Sequence, residues 1–283
     1  EQVVLQIGSR CDNIQGNYNF GVGMKIIVCV KQVLDTAAQI QIDNGGIVSP
    51  GSSRIINPYD EFAIEEAVRI KEKKPDTEIT LLSLGPEGFK DSIKKALAMG
   101  ADKAVHLMDD KFDGLDSYAL ARVLARSIDK IPYDLILCGR QAVDVDSAQT
   151  GPALATFLGI PFVTVVTGID FSDNFKSAKI TRQVEGGSEV RVLPLPLLLT
   201  CQKGLNEPRL PSLKGIMAAK KKEVLTFSAS DLDIDTLDMG DNRVIEENLW
   251  LPPERKEGII LQGTEDEISG ELVRLLREEQ KII

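Results

Sequence analysis

The segment GRQAVDVDSAQTGP, Gly139 to Pro152, is where the residue types and spacing of this chain could do chemistry. Ser147 and Thr150 carry hydroxyls, Gly139 and Gly151 allow close approach to the backbone, and Arg140 can add a charge-assisted contact. A helix begins within the segment, and the open N–H groups of its first turn suit a phosphate. Asp144 and Asp146 cut the other way, because a carboxylate repels a phosphate; one suits a helix cap and the other a contact to ribose or adenine. By itself the segment fits a nucleotide site and an ordinary capped turn equally well. Two further features favour the nucleotide: NPYD (Asn57, Pro58, Tyr59, Asp60) opens another helix, and a strand ends nearby at Cys29.

The elements that must position these residues follow from periodicity. From Met24 onward short apolar runs alternate with amphipathic helices, the pattern of a parallel sheet with crossover helices. Strands are expected at Lys25 to Val30, Glu78 to Leu84, Lys103 to Met108, Asp134 to Cys138 and Phe162 to Val166. A helix starts at Asn57, with Pro58 at its first position, Ala63, Ala67 and Ile70 on one face, and Pro75 as its stop. A second runs from about Glu87 to a cap at Gly100, a third carries the stripe Leu120, Val123, Leu124, Ser127 and Ile128, and a fourth spans Ser147 to Leu158. Lys176 to Val184 and Ser188 to Leu193 read as a hairpin through Gly186 and Gly187. The third strand holds His106, the chain's one histidine, which reads as a strand residue and not as a catalyst.

A second unusual stretch is LNEPRLPSLKGIMAAKKK, Leu205 to Lys222. Its apolar residues keep no period beyond one turn, and Pro208 and Pro211 restrict the backbone, so a protruding ordered loop is expected. Arg209, Lys214 and the run Lys220, Lys221, Lys222 make it basic in a chain of net charge -10. The bland alternative is a solvated connection. Leu213, with Ile216 and Met217, decides against it: a lone large apolar residue on a stiff basic loop has the composition of an anchor for another protein's pocket.

At 283 residues and 43% hydrophobic, the chain can bury one large core or two small ones. No apolar run reaches the roughly 18 to 20 residues of a membrane helix. An acidic chain has no global field for nucleic acid. Cys11, Cys29, Cys138 and Cys201 form no CxxC pair and read as reduced thiols of a cytoplasmic protein. There is no GxGxxG, GxxxxGK[ST], SGGxDS or GxSxG, and no Cys/His nucleophile arrangement. Residues 1–23 read as an N-terminal extension, 24–200 as the α/β nucleotide-binding domain, 201–223 as the partner loop and 224–283 as an arm. The arm ends in a helix with a Thr264/Glu267 capping box and the stripe Ile268, Leu272, Leu275, Leu276.

LNEPR followed by leucine, IM and a lysine cluster resembles the recognition loop of the electron transfer flavoprotein β subunit, in which a leucine anchors the partner dehydrogenase. ITRQVEGGSEVRVLPLPLLLT, Ile180 to Thr200, is similar to that family's signature segment, departing at Arg191, where an aliphatic residue is usual. The resemblance implies an open, mostly parallel sheet with helices on both faces, like the adenine nucleotide α-hydrolases, with a C-terminal arm and helix docking on an α subunit. It places the nucleotide loop at Gly139, Arg140, Gln141, Ala142, Val143, Asp144, Val145, Asp146, Ser147, Ala148, Gln149 and Thr150, with Cys29, Asn57, Pro58, Tyr59, Asp60 and Leu84 in the adenine pocket. It implies a heterodimer carrying FAD, an electron carrier for a flavin dehydrogenase such as an acyl-CoA dehydrogenase. Many family members have asparagine at Ala148, and some with alanine there hold a second FAD in place of AMP, accept hydride from NADH and bifurcate its electrons. AMP and a second FAD therefore both stay open. The rival readings are an adenylating enzyme of related topology, disfavoured by the missing SGGxDS, and a stand-alone nucleotide sensor.

Overall fold

A computed structural model describes residues 3–4, 23–234, 242–253 and 258–283, which divide into two compact units. The larger, Glu1–Ile40 with Val48–Glu247, is built on a ten-stranded sheet. In chain order come β1 (Val3–Val4), β2 (Lys25–Cys29) and β3 (Gln32–Leu34); β4 (Gln41–Asp43) and β5 (Gly46–Val48), which but for Val48 belong to the second unit, then pair across Asn44 and Gly45, both at positive φ. After β6 (Arg54–Ile56) come α1 (Pro58–Lys73), β7 (Glu78–Leu84), α2 (Lys90–Met99), β8 (Lys103–Leu107), α3 (Ser117–Ile128), β9 (Leu135–Gly139) and α4 (Thr150–Leu158). The rest is β10 (Phe162–Phe171), β11 (Ser177–Val184), β12 (Gly187–Pro194), β13 (Leu197–Cys201), α5 (Leu213–Ala219) and β14 (Val224–Phe227).

The strand order is β1-β12-β11-β10-β13-β9-β2-β7-β8-β14, parallel throughout from β10 to β14, with β11 antiparallel to both its neighbours. Side chains alternate across β2. Ile26 and Val28 join Ala63 and Ala67 of α1 and Ile93 and Leu97 of α2 on one face. Ile27 joins Leu124 and Ile128 of α3 and Leu154 of α4 on the other. Both faces are thus covered, which is why the central strands read as unbroken apolar runs. From β2 the chain adds β7 and β8 on one side, then crosses to β9 on the other, so the order reverses between β2 and β9.

Three expectations are corrected, and one strand, β13, was not expected. The fourth helix starts at Thr150 and not at Ser147, because Asp146 and Ala148 take φ of 55° and 54°, outside the helical region. β10 runs on to Phe171 through an irregularity between Val166 and Gly168. β13 was hidden by Pro194 and Pro196, yet all five of its residues are buried in the middle of the sheet. β14 pairs with β8 at residues expected to open the arm, and Ala229, Leu232 and Ile234 beyond it are buried in the second core.

The second unit, Gln41–Ile47 with Asn248–Ile283, contains α6 (Glu265–Arg274). Thr264 and Glu267 form the expected capping box, and the helix buries none of its residues. No helix among the described residues is long and apolar enough to cross a membrane.

Candidate functional site

Open parallel sheets form their ligand crevice where the strand order reverses, at the carboxyl ends of the strands. Here that point lies between Cys29 and Gly139. Two side chains at the start of α1 shape it. Asn57, the residue before Pro58, does not cap its own helix; its Nδ2 donates to Gln141 O at 2.8 Å and its Oδ1 accepts from Val143 N at 3.1 Å. Asp60 accepts from the N–H of Lys31 at 2.7 Å, from Asn57 Nδ2 at 2.9 Å and from the N–H of Gly139 at 3.1 Å. The end of β2, the start of α1 and the loop after β9 are thereby bolted together. Burial pushes the Asp60 carboxyl up to about 7, against the pull of these donors and of the Lys31 charge. Gly139 is required here, since a Cβ would collide with Asp60 and Tyr59.

A cleft of about 420 Å³ opens beside this joint. Of the expected residues, Cys29, Asn57, Asp60, Leu84, Gly139, Arg140, Gln141, Ala142, Val145, Ser147, Ala148, Gln149 and Thr150 line it. Pro58, Tyr59, Val143, Asp144 and Asp146 do not. Of the two acids expected as a helix cap and a ribose or adenine contact, neither lines the cleft and neither caps α4. Asp144 pairs with Lys31 Nζ at 2.8 Å, and Asp146 accepts from Gln141 Nε2 at 2.6 Å, which bends the loop. The lining also includes Lys31, Leu82, Gly85, Phe112, Leu120, Leu124 and Glu246, which motif reading missed. The apolar stripe of α3 was the available signal for Leu120 and Leu124.

The donor set suits an adenine nucleotide. The backbone N–H groups from Ser147 to Gly151 have no acceptor among the described residues, and neither does the half-buried Arg140 guanidinium. Residues that carry these donors line the same cleft as Leu82, Leu84 and Leu120, so open donors and apolar side chains share one cavity.

The expected basic loop is in part a helix. Leu213–Ala219 forms α5, with Ser212 Oγ accepting from Gly215 N at 3.0 Å as its cap. Seven residues were too few to display a helical period. Leu210, Leu213 and Met217 are 88%, 76% and 64% exposed, and Ile216 projects beside them. Two expected partner-facing cations are occupied internally. Arg209 pairs with Glu65 and Glu72, and Lys222 Nζ donates to the carbonyls of Leu97 and Ala101 at 2.9 and 2.6 Å. Lys220 and Lys221 stay exposed.

A family model for the electron transfer flavoprotein domain matches residues 46–232. The β subunit of the electron transfer flavoprotein of Bacillus subtilis is 44% identical over 92% of this chain and all of its own length. That of Mus musculus is 37% identical over 92% of the chain and 99% of its own. The chain belongs to the electron transfer flavoprotein β subunits. It is also 39% identical to the caffeyl-CoA reductase-Etf complex subunit CarD of Acetobacterium woodii, over 92% of the chain and all of CarD.

In this electron transfer flavoprotein subunit the signature segment is β11, β12 and β13. Arg182 donates to Thr164 O at 3.0 Å and pairs with Glu189 at 3.2 Å. Arg191, the departure from the family pattern, reaches the other oxygen of Glu189 at 2.5 Å, so the odd cation is neutralised where it stands. His106 is fully buried in β8, hydrogen-bonded through Nε2 to Gly85 O at 2.9 Å, and burial holds its pKa below the usual value. Cys29, Cys138 and Cys201 are free thiols, Cys11 lies outside the described residues, and no metal-ligating cluster occurs among the described residues.

Proposed function

We propose that this chain is the β subunit of a heterodimeric electron transfer flavoprotein and that the cleft between β2 and β9 clamps an adenosine 5′-phosphate moiety. AMP is that moiety, and FAD contains it. The observation that carries this reading is the run of N–H groups from Ser147 to Gly151 that have no acceptor among the described residues, in a cleft also lined by Leu82, Leu84 and Leu120. Those N–H groups, Arg140 and the Ser147 hydroxyl hold the phosphate. Leu82, Leu84 and Leu120 flank the base and exclude water from it. Asn57 and Asp60 line the cleft and also bond the loop, keeping it in the conformation that leaves its donors free.

FAD, when bound in the heterodimer, supplies the electron chemistry by which a flavin dehydrogenase such as an acyl-CoA dehydrogenase is reoxidised. This chain contributes a surface for that dehydrogenase at Leu213, Ile216 and Met217, ringed by Lys214, Lys220 and Lys221. The exposed stripe around Leu272 of α6 supports its use as a contact for the α subunit. AMP and a second FAD, the latter taking electrons from NADH, remain the two occupants to be told apart, since the chain is 44% identical to an electron transfer flavoprotein β subunit and 39% identical to CarD.

Denaturing the purified heterodimer and chromatographing what it releases tests both levels. One adenine nucleotide beyond the redox FAD is expected per heterodimer. AMP with one flavin marks the simple carrier, and two flavins mark the bifurcating form. Release of no second adenine nucleotide overturns the assignment of the cleft.

A further inference from the structure

Arg209 sits ahead of α5, and all three of its guanidinium nitrogens are paired within the chain. Nε and Nη2 donate to the two oxygens of Glu65 at 2.7 and 3.0 Å, and Nη1 and Nη2 donate to Glu72 at 2.6 and 3.2 Å. Its backbone N–H donates to Glu65 as well, at 3.2 Å. Glu65 is 2% exposed and is held also by Arg69 at 2.8 Å. Burial alone would raise the Glu65 carboxyl; the Arg209 and Arg69 guanidiniums outweigh it and hold it below the usual range. To turn these nitrogens toward a partner's acceptor, Arg209 would have to leave a buried carboxylate half-compensated, which costs far more than a rim contact returns.

The segment around it is equally constrained. Asn206 donates to Phe62 O at 3.0 Å and to Glu66 at 2.9 Å. Pro208 and Pro211 flank Arg209, so little backbone freedom separates it from the Ser212 cap. Beyond the cap, Gly215 lies flat on the Ala98 carbonyl, where a Cβ would collide, Ala219 is buried, and Lys222 caps the end of α2. Between these two anchorages stand Leu210, Leu213, Ile216 and Met217, all exposed.

We propose that Arg209 is a positioning residue and not a partner contact: by locking the lead-in segment to Glu65 and Glu72 of α1, it holds α5, and Leu213 with it, in the orientation a flavin dehydrogenase reads. This rests on the docking role proposed for α5.

The test uses the FAD-loaded heterodimer with a reduced acyl-CoA dehydrogenase as the titrated partner, comparing wild type, Arg209→Ala, Leu213→Ala and the double variant. Both single variants raise KM for the dehydrogenase, Arg209→Ala on the order of tenfold, while kcat at saturation holds. The double variant is less than about threefold worse than Leu213→Ala, because the anchor that Arg209 orients is already gone. Arg209→Ala keeps the wild-type dependence of KM on ionic strength, its charge being spent internally. Glu72→Gln moves KM the same way by less, and Arg209→Lys recovers part of the loss; these two carry the test if Arg209→Ala fails to fold. Multiplicative single effects with a flattened salt dependence would make Arg209 a direct contact and overturn the proposal. Unchanged KM in the Arg209 and Glu72 variants, with Leu213→Ala still impaired, would also overturn it. A wild-type KM for Leu213→Ala would instead remove the docking role itself.

Discussion

The loop after β9 and the segment after β13 leave the same edge of the sheet on neighbouring parallel strands, yet they present opposite things to their surroundings. The strands are in register at Cys201 and Gly139, and Arg140 N donates to Cys201 O at 2.9 Å. After Gly139 the chain comes, from Ser147 to Gly151, to main-chain N–H groups that have no acceptor among the described residues. After Cys201 it ties Arg209 and Lys222 to groups of its own fold and leaves large apolar side chains exposed. The same helix steadies both: Asn57 and Asp60 at its start hold the first, and Glu65, Glu66 and Glu72 along it hold the second. A surface that must receive an anion keeps backbone donors unpaired, and one that must receive a protein keeps side chains unburied. In both cases a rigid element carries the cost of leaving something unsatisfied.

The comparison breaks first if the shared scaffold is cut. Asp60→Ala would leave the donors of Lys31, Gly139 and Asn57 without their acceptor, at roughly 1 to 3 kcal/mol each. Thermal unfolding should therefore drop by many degrees, with nucleotide lost as well; a Tm within a degree of wild type would show that the bolt is dispensable. Asp60 also sets a pH dependence. Its carboxyl lies at about 7 in the fold against an ordinary 3.8, so between those values the native chain holds a proton that the unfolded chain has released. Its contribution is whole below about pH 4 and is lost as pH rises through 7. Denaturant titrations from pH 4 to 8 should give wild type a steeper fall than Asp60→Asn, and parallel curves would refute the assignment.

Next in size is the cleft itself. Arg140→Ala with Ser147→Ala removes a charge-assisted and a hydroxyl contact and should weaken nucleotide retention by about 2 to 4 kcal/mol, leaving electron acceptance at saturating dehydrogenase dependent only on the remaining flavin. Leu213→Ala sharpens the contrast from the other side: a loss of roughly 2 kcal/mol or more in docking, about thirtyfold, with bound nucleotide and Tm unaltered. If either variant shows the other's defect, the two regions are not independent. Smallest is neutralising Lys220 and Lys221, a few-fold loss of association rate that fades as salt rises. Lys222 is left out of that pair because its ammonium already caps α2.

Much of the molecule was legible along the chain. Strands β2, β7, β8 and β9, the stripes of α1, α2 and α3, and the Thr264 cap follow from periods and capping residues that act over a few neighbours. The misses share one cause, which is that long-range partners overrode local signals. β13 carries prolines before it, and only its place between β9 and β10 makes it the buried middle of a sheet. α5 is too short to show a period and is held by Gly215 against α2 and by Arg209 against α1. Asp144 and Asp146 looked like ligand or cap groups until Lys31 and Gln141 were placed beside them.

What the sequence determined by itself was the alternation of strand and helix, the polar turn after β9 and the apolar cluster on a basic segment, because each depends on residue types a few positions apart. Which donors stay open, which cations are free and which helix carries both surfaces was decided only by the tertiary structure. A hydrogen bond or ion pair removes a group from service, and the partner that does so here lies 84 residues away for Asn57 and 144 for Arg209.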